Sequence, residues 1–431
     1  MLLARGMFGR DVQRVEIVPV AFNLRPLGHG KADVGKDRRQ LLHHLGYRMD
    51  RATRRFGRGE RQVDRLAGQL GFQRGAFQRG EREDKFDLVL DLRDAPGFTQ
   101  HALPQGYVHL PASADAMAQV RAVTQLRDLV GEFEKPKFFT YKQKICAHGR
   151  NETVGCDACV QVCSALAISS QVDRQQIVVN PNLCVGCGAC TTVCPTGALT
   201  YAYPRASEVG VRLRTVLATY AKAGGTDAAL LLHSREAGAA LIDELGRAAQ
   251  LDPKRVRGVP ARVIPLPLWH TASAGLDLWL TAFAYGAPQV WVLMTDEEAP
   301  QYRQALQEQM ALAQSIVNGL GYTGTHFRLI EARTAAELDS QLAVPKTQGV
   351  KRRASYAVQA EKRATIELAL DHLLQDSAAH GQRAEAIALP APSLFGAVAI
   401  DRDRCTLCLS CVSACPASAL QDNAERPQLR F

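Results

Sequence analysis

The sequence predicts a multidomain protein of mixed α/β and α+β class. Two observations carry that prediction. Between residues 205 and 342, short apolar runs alternate with amphipathic helical stretches, the pattern of a parallel sheet covered on both faces. All 12 cysteines lie outside that stretch in three tight groups, and none occurs between Cys194 and Cys405. The 431 residues suffice for roughly two to four domains. The expected division is a basic leader (1–82), a small α/β region (83–140), a compact cysteine-bearing domain (141–204), a doubly wound parallel α/β domain (205–342), a linker with a helix (343–390) and a C-terminal cysteine-bearing module (391–431).

The formal net charge of +9 is unevenly placed: residues 1–82 hold 18 basic and 8 acidic side chains, leaving 34 basic and 35 acidic groups for the rest. The leader is rich in Arg, Gly and Gln with poor periodicity, so it reads as weakly folded or disordered rather than as a nucleic-acid-reading face. No apolar run is long enough for a membrane span. Arg5 and Arg10 interrupt any signal-peptide core, so a cytoplasmic location is expected.

Residues 83–140 open with a strand candidate, "DKFDLVLDL". "HALPQGYVHLP" reads as loop, 113–131 as a helix, and "KFFTYKQKI" as a strand leading into the first cysteine group. His101 and His109 flank the Pro-Gly loop and read as surface groups.

Clustered thiols without an export signal argue for metal rather than disulfides. The first group is Cys146, Cys156, Cys159 and Cys163; the second is Cys184, Cys187, Cys190 and Cys194; the third is Cys405, Cys408, Cys411 and Cys415. The second and third both read C-x2-C-x2-C-x3-C-P, the spacing that holds a [4Fe–4S] cube. Structural zinc usually joins two C-x-x-C knuckles across a longer gap instead. Small residues at Gly186, Gly188 and Ala189 let backbone amides approach the sulfurs. Between Cys163 and Cys184, "QQIVVN" and the Asp173-Arg174 turn predict a hairpin.

Residues 141–204 thus resemble a bacterial dicluster ferredoxin domain. The resemblance implies crossed ligation: one cube on Cys146, Cys156, Cys159 and Cys194, and another on Cys184, Cys187, Cys190 and Cys163. Two departures stand out. The gap after Cys146 is nine residues rather than two, so Cys146 either arrives on a longer loop or fails to ligate; His148 reads as a solvated loop histidine. Ser164 stands where the pattern carries proline. A third cube is expected on Cys405, Cys408, Cys411 and Cys415. That module holds a lone cube, or it is the first half of a larger ferredoxin unit; the partial module is the reading adopted.

In 205–342, helices are predicted at 206–223, 235–249, 275–286, 299–319 and 333–342, and strands at 228–233, 262–267, 289–294 and 326–330. Ser234 is expected to cap the second helix, with Ala237 and Leu241 facing inward. "RVIPLPLWHTASAGLDLWLTAFAYGAPQVWVL" resembles the delta-type subunit of hydrogenase and heterodisulfide-reductase complexes, which implies electron passage between iron–sulfur and flavin partners. That family's cysteines are replaced by Leu268-Trp269-His270 and Thr295-Asp296, so no cluster is expected there. Trp269 and His270 read as packing and surface groups. No G-x-G-x-x-G follows a strand. In the linker, Lys351-Arg352-Arg353 reads as a solvated charge run and a helix is expected around 358–376. "AVAIDRDRC" parallels "IVVNPNLC" ahead of the second group.

The whole order resembles multi-cluster 4Fe-4S ferredoxin-like proteins found with bacterial formate dehydrogenases. That implies an electron-transfer component, not an enzyme by itself, working with a redox protein partner such as a formate dehydrogenase or another molybdenum enzyme. A flavin-dependent oxidoreductase subunit and an iron–sulfur redox sensor are the alternatives. No catalytic residues are expected, and nucleic acid is not an expected partner.

Overall fold

The computed structural model describes residues 88–430 apart from 112, 131–134, 149–153, 344, 379–385, 392, 397–398, 416–419, 424 and 427–428, together with the backbone of 5–8, 11–14 and 17–19. It comprises two compact units, residues 1–136 and 137–431.

In the first unit, β1 (Arg5–Phe8) and β2 (Asp11–Arg14) form an antiparallel pair. β3 (Ile17–Pro19), β4 (Leu88–Asp91) and β5 (Tyr107–His109) form a parallel sheet in that order. The leader, read as weakly folded or disordered, contributes three short strands; its remaining residues lie outside the described ones. The loop expected at "HALPQGYVHLP" holds β5 instead. Tyr107 and Val108 are buried, and the Pro104–Gly106 turn delivers them to β4, with the Val89 amide donating to the Gly106 carbonyl at 2.8 Å. Pro and Gly mask so short a strand in the sequence. α1 (Ala116–Asp128) is capped by Asp115 and places Ala122 and Leu126 in the core.

At the carboxyl end of β4, the buried Asp91 accepts five hydrogen bonds. They come from the Tyr107 hydroxyl (2.5 Å), the Gly97 amide (2.9 Å), and the Arg93 amide (3.1 Å), Nε (2.9 Å) and Nη2 (2.9 Å). Burial pushes the carboxyl upward, but these donors prevail and hold it at about 2. A depressed folded value means stability that is present above the unfolded pKa of about 3.9 and is lost as pH falls through about 2. Acid titration should therefore disorder the Tyr107 ring, followed by NMR, between about pH 4 and 2. An Asp91→Asn protein should already lack that step; a native Tyr107 environment persisting in both forms would contradict this.

The second unit is built on a four-stranded parallel sheet in the order β11–β10–β12–β13: β10 (Ala229–Ser234), β11 (Val263–Leu268), β12 (Gln289–Met294) and β13 (Phe327–Glu331). Every residue of β10 and β12 is buried, which explains the apolar runs at 229–232 and 290–294. Leu230 and Leu232 face one core with α4 (Ala206–Lys222), α6 (Leu276–Ala284), α7 (Pro300–Gly319) and α9 (Lys362–Ala378). Leu231, Trp291 and Leu293 face the other, with α5 (Ala237–Leu251) and α8 (Ala335–Leu342). The predicted strands and helices of this region fall within two residues of those observed. Ser234 ends β10, yet its hydroxyl still accepts from the Gly238 amide at 2.8 Å. Leu241 is buried; Ala237 is only half-buried.

The stretch read as a linker is bound to this layer. Ala354 and Val358 are buried among their charged neighbours, and the Ala354 amide donates to the Ala284 carbonyl at 2.8 Å. Lys351, Arg352 and Arg353 are exposed as expected. No helix among the described residues is long and apolar enough to cross a membrane.

The cysteine-bearing part precedes the sheet in the chain. β6 (Phe139–Tyr141) pairs antiparallel with β9 (Leu199–Tyr201), closing the ends of the segment together. Between them come α2 (Ala158–Gln161), the hairpin of β7 (Ile168–Gln171) and β8 (Gln176–Val179), and α3 (Ala189–Thr192). Beyond the sheet lie α10 (Ser410–Ala414), β14 (Gln421–Asp422) and β15 (Leu429–Arg430).

Candidate metal centre

Each half of the 137–204 segment runs from a cysteine loop into a single helical turn, then out through a strand. The fourth cysteine of each group lies after its helix, and there the chain crosses over. Cys146, Cys156, Cys159 and Cys194 line one cavity, of about 310 Å³ including its open mouth. Cys163, Cys184, Cys187 and Cys190 line the other, of about 440 Å³ on the same basis. Cys163 and Cys194 have thus exchanged places. Cys146 reaches the first cavity despite its nine-residue gap. The two cavities abut: Cys159 and Cys194 share a core cluster with Cys163 and Cys190.

His148 does not behave as a solvated loop residue. It is 2 % exposed, with Nδ1 2.6 Å from the Cys156 carbonyl and Nε2 2.6 Å from the Ser170 hydroxyl. With both ring nitrogens engaged, it ties the loop between Cys146 and Cys156 to the β7–β8 hairpin. Its side chain anchors the long gap and has no nitrogen left to ligate.

Burial dominates the thiol electrostatics. It pushes Cys159 up to about 12, helped by the negative charge of Cys194, Cys156 and Cys146. Cys187 rises to about 11 through burial, tempered by the Tyr302 hydroxyl and the Ala189 amide. Cys190 is raised well above its ordinary value by burial and by Cys187, Cys163 and Cys184. Metal-free, these thiols keep their protons, and loading the cavities must displace them. Amides already point at the sulfurs: Ala167 donates to Cys163 Sγ at 3.3 Å, and Ala158 to Cys156. No carboxylate lines either cavity, so the donor set is all thiolate, which suits a soft-ligand group. Among the described residues, no three His, Cys, Asp or Glu converge as a single ion would require. Four sulfurs spread around a cavity fit a multi-iron cube better than one zinc ion.

Gly186 and Gly188 carry φ of +75° and +81°. A Cβ on Gly188 would also stand 2.7 Å from Ser273 Cα, and one on Gly186 2.5 Å from the Phe138 ring. The two glycines therefore serve both the turn and the close approach of neighbouring segments.

Several functional side chains escaped sequence reasoning. Tyr302, near the start of α7, donates its hydroxyl to Cys187 and meets the Ser164 hydroxyl. Ser164 is 2 % exposed, so the substitution of proline supplies a buried hydrogen-bonding group; that departure from the motif was the visible clue. Lys362, also buried, extends Nζ to the carbonyls of Thr191 (3.3 Å), Thr192 (2.5 Å) and Cys194 (3.3 Å). Nothing in "QAEKRATIE" distinguishes that lysine from a solvated one. His270 is a buried group, not a surface one: its ring lies edge-on to Tyr302 at 5.2 Å and its Nδ1 accepts from the Ala272 amide.

The third group adopts the same loop in a more open setting. Asp401 Oδ1 accepts from the Asp403 and Arg404 amides, as Asn180 Oδ1 does from Asn182 and Leu183. Leu407 and Leu409 hold φ of 55° and 59° at the offsets of Gly186 and Gly188. Non-glycine residues there cost about 1–2 kcal/mol each. Cys408 and Cys411 are exposed. Hydrogen bonds from Ser410 and Thr406 lower the Cys408 thiol.

A family model for the 4Fe-4S binding domain matches residues 177–200 and 398–421, over the second and third groups. No curated protein and no solved structure matches the chain. The chain therefore carries two ferredoxin-type 4Fe-4S binding domains, which give it an iron–sulfur electron-transfer character. The match leaves the first group and residues 230–335 outside, and it supports neither the delta-type likeness nor the formate dehydrogenase association.

Proposed function

We propose that this protein relays single electrons between a dehydrogenase and a second carrier, through cubes held on Cys146, Cys156, Cys159 and Cys194, on Cys163, Cys184, Cys187 and Cys190, and on Cys405, Cys408, Cys411 and Cys415. The observation that supports the reading most is the sorting of eight thiols into two abutting cavities of four. Bound there, iron–sulfur cubes supply one-electron redox chemistry at potentials set by their surroundings. The chain's own residues do the setting. Apolar walls exclude water, amides and the Tyr302 hydroxyl donate toward sulfur, and the Lys362 ammonium places a positive charge beside Cys194. Around Cys187 these devices differ from those around Cys194, so the two sites are expected to have unequal potentials and the flow a preferred direction. A formate dehydrogenase or related molybdenum enzyme is the partner suggested by the order of modules.

The flavin alternative finds little room. In an open parallel sheet, ligands bind at the carboxyl ends of the strands where the order reverses, here between β10 and β12. The cysteine-bearing segment covers that edge. Ser273 lies under Gly188, and Gly275 meets Thr192. The sheet therefore serves as a platform for the second cavity.

Iron and acid-labile sulfide analysis of anaerobically purified protein tests this reading, with electron paramagnetic resonance after dithionite reduction. About twelve irons per chain are expected with all three sites loaded, and about eight if only the two enclosed cavities fill. A colourless protein holding zinc would refute it.

A further inference from the structure

The second cavity has one wall that reaches the surface. Val185, 37 % exposed, and Tyr201 line it. Three aromatic rings cluster at that wall: the buried Phe138, itself part of the lining, lies 5.9 Å from Tyr203 and 5.7 Å from Trp269, and those two lie 5.7 Å apart. Tyr203 is 41 % exposed. The Arg235 guanidinium sits 5.9 Å over the Trp269 ring. Beside it, Arg212 donates to the Pro267 carbonyl at 2.9 Å, and burial together with the Arg235 charge lowers the Arg212 pKa. Arg205, also exposed, follows Tyr203 by two residues. The nearby acids are partly committed: Glu208 accepts from the Arg205 amide at 3.0 Å and Glu297 from the Ala237 amide at 3.2 Å. Glu236 alone adjoins Arg235 in sequence without a capping bond.

Resting on the electron-relay reading, we propose that this aromatic face with its Arg205, Arg212 and Arg235 rim is where a small iron–sulfur carrier with an acidic surface docks. Three features favour that partner. Two adjacent guanidiniums keep close company against their own repulsion, which a partner's carboxylates would relieve. Exposed Tyr and half-buried Trp supply the aromatic contact that interfaces concentrate. Phe138 of that cluster lines the second cavity, so the face adjoins it directly. In the docked pair one electron leaves the reduced carrier and one iron–sulfur centre of this chain gains it; no bond is made or broken.

The test uses the full, iron-loaded chain and a pre-reduced acidic [2Fe–2S] ferredoxin as probe, with reduction followed by stopped flow. The Arg212→Glu/Arg235→Glu double variant should keep its iron content and spectrum, and should be reduced about tenfold more slowly at low salt. The native rate should fall with ionic strength, and the variant's should not. Photoreduction by 5-deazaflavin, which needs no docking face, should proceed equally in both. Equal rates with ferredoxin, or a native rate indifferent to salt, would overturn the docking site. Failure of deazaflavin to reduce the native protein would instead overturn the relay reading beneath it.

Discussion

A Lys362→Met protein is expected to lose about 3 kcal/mol of stability or more, and to lower the reduction potential of the centre that includes Cys194. Nζ of Lys362 closes the carboxyl end of α3, donating to the carbonyls of the buried Thr191, Thr192 and Cys194. Its charge also faces the buried Asp277. Burial drives the Lys362 ammonium toward neutrality, while Asp277 and Cys194 favour the charge; burial likewise raises Asp277, and Lys362 opposes it. Methionine matches the stem but strands three acceptors and one carboxyl group. Breaking a buried charge pair from one side costs about 3–5 kcal/mol. Reduction adds negative charge, so loss of a nearby cation disfavours it. At an effective dielectric constant of about 20 the effect is on the order of 50–100 mV. Urea midpoints and potentiometric titration measure the two effects separately. An unchanged midpoint with an unchanged potential would show that the ammonium contributes neither.

The second large effect belongs to Gly188→Ala. The position needs a left-handed backbone, which costs an L-residue about 1–2 kcal/mol. Its added methyl would stand 2.7 Å from the Ser273 backbone and 3.1 Å from the Tyr201 ring. Backbone cannot yield as a flexible side chain can, so either the cysteine loop or the sheet edge must move. The variant should lose the centre at Cys163, Cys184, Cys187 and Cys190, about four irons per chain, while keeping its neighbour. The reverse substitution in the third group, Leu409→Gly, should relieve strain at φ 59° and raise iron retention there. Full iron loading of the Gly188→Ala protein would contradict the account.

Much of this was legible in the sequence, for physical reasons that also explain the remainder. Cysteine clustering singled out the thiols that line the two cavities, whereas Cys146, whose nine-residue gap breaks the spacing, stayed open in the sequence and reaches its cavity in the fold. The buried strands at 229–234 and 289–294 showed as apolar runs, because both faces of the sheet are covered. The β5 strand did not show, because Tyr107 and Val108 follow a Pro-Gly turn and pair over only three residues. His148 reads as solvated, and Lys362 does not stand out at all, because their burial is imposed by distant partners, the β7–β8 hairpin in one case and α3 in the other. Tyr302 sits at helical spacing indistinguishable from core. What places it beside Cys187 is the docking of the cysteine segment against the sheet edge, a tertiary relation with no local signature.

The crossing of Cys163 and Cys194 between the two halves is the claim on which the relay depends. It is tested most directly by paramagnetic resonance of four single variants, Cys156→Ala, Cys194→Ala, Cys187→Ala and Cys163→Ala, reduced under identical conditions. The crossed arrangement predicts that the Cys194 variant loses or alters the same signal as the Cys156 variant, and that the Cys163 variant does so with the Cys187 variant. If Cys194 groups with Cys187, and Cys163 with Cys156, each cysteine run serves its own site and the account is wrong.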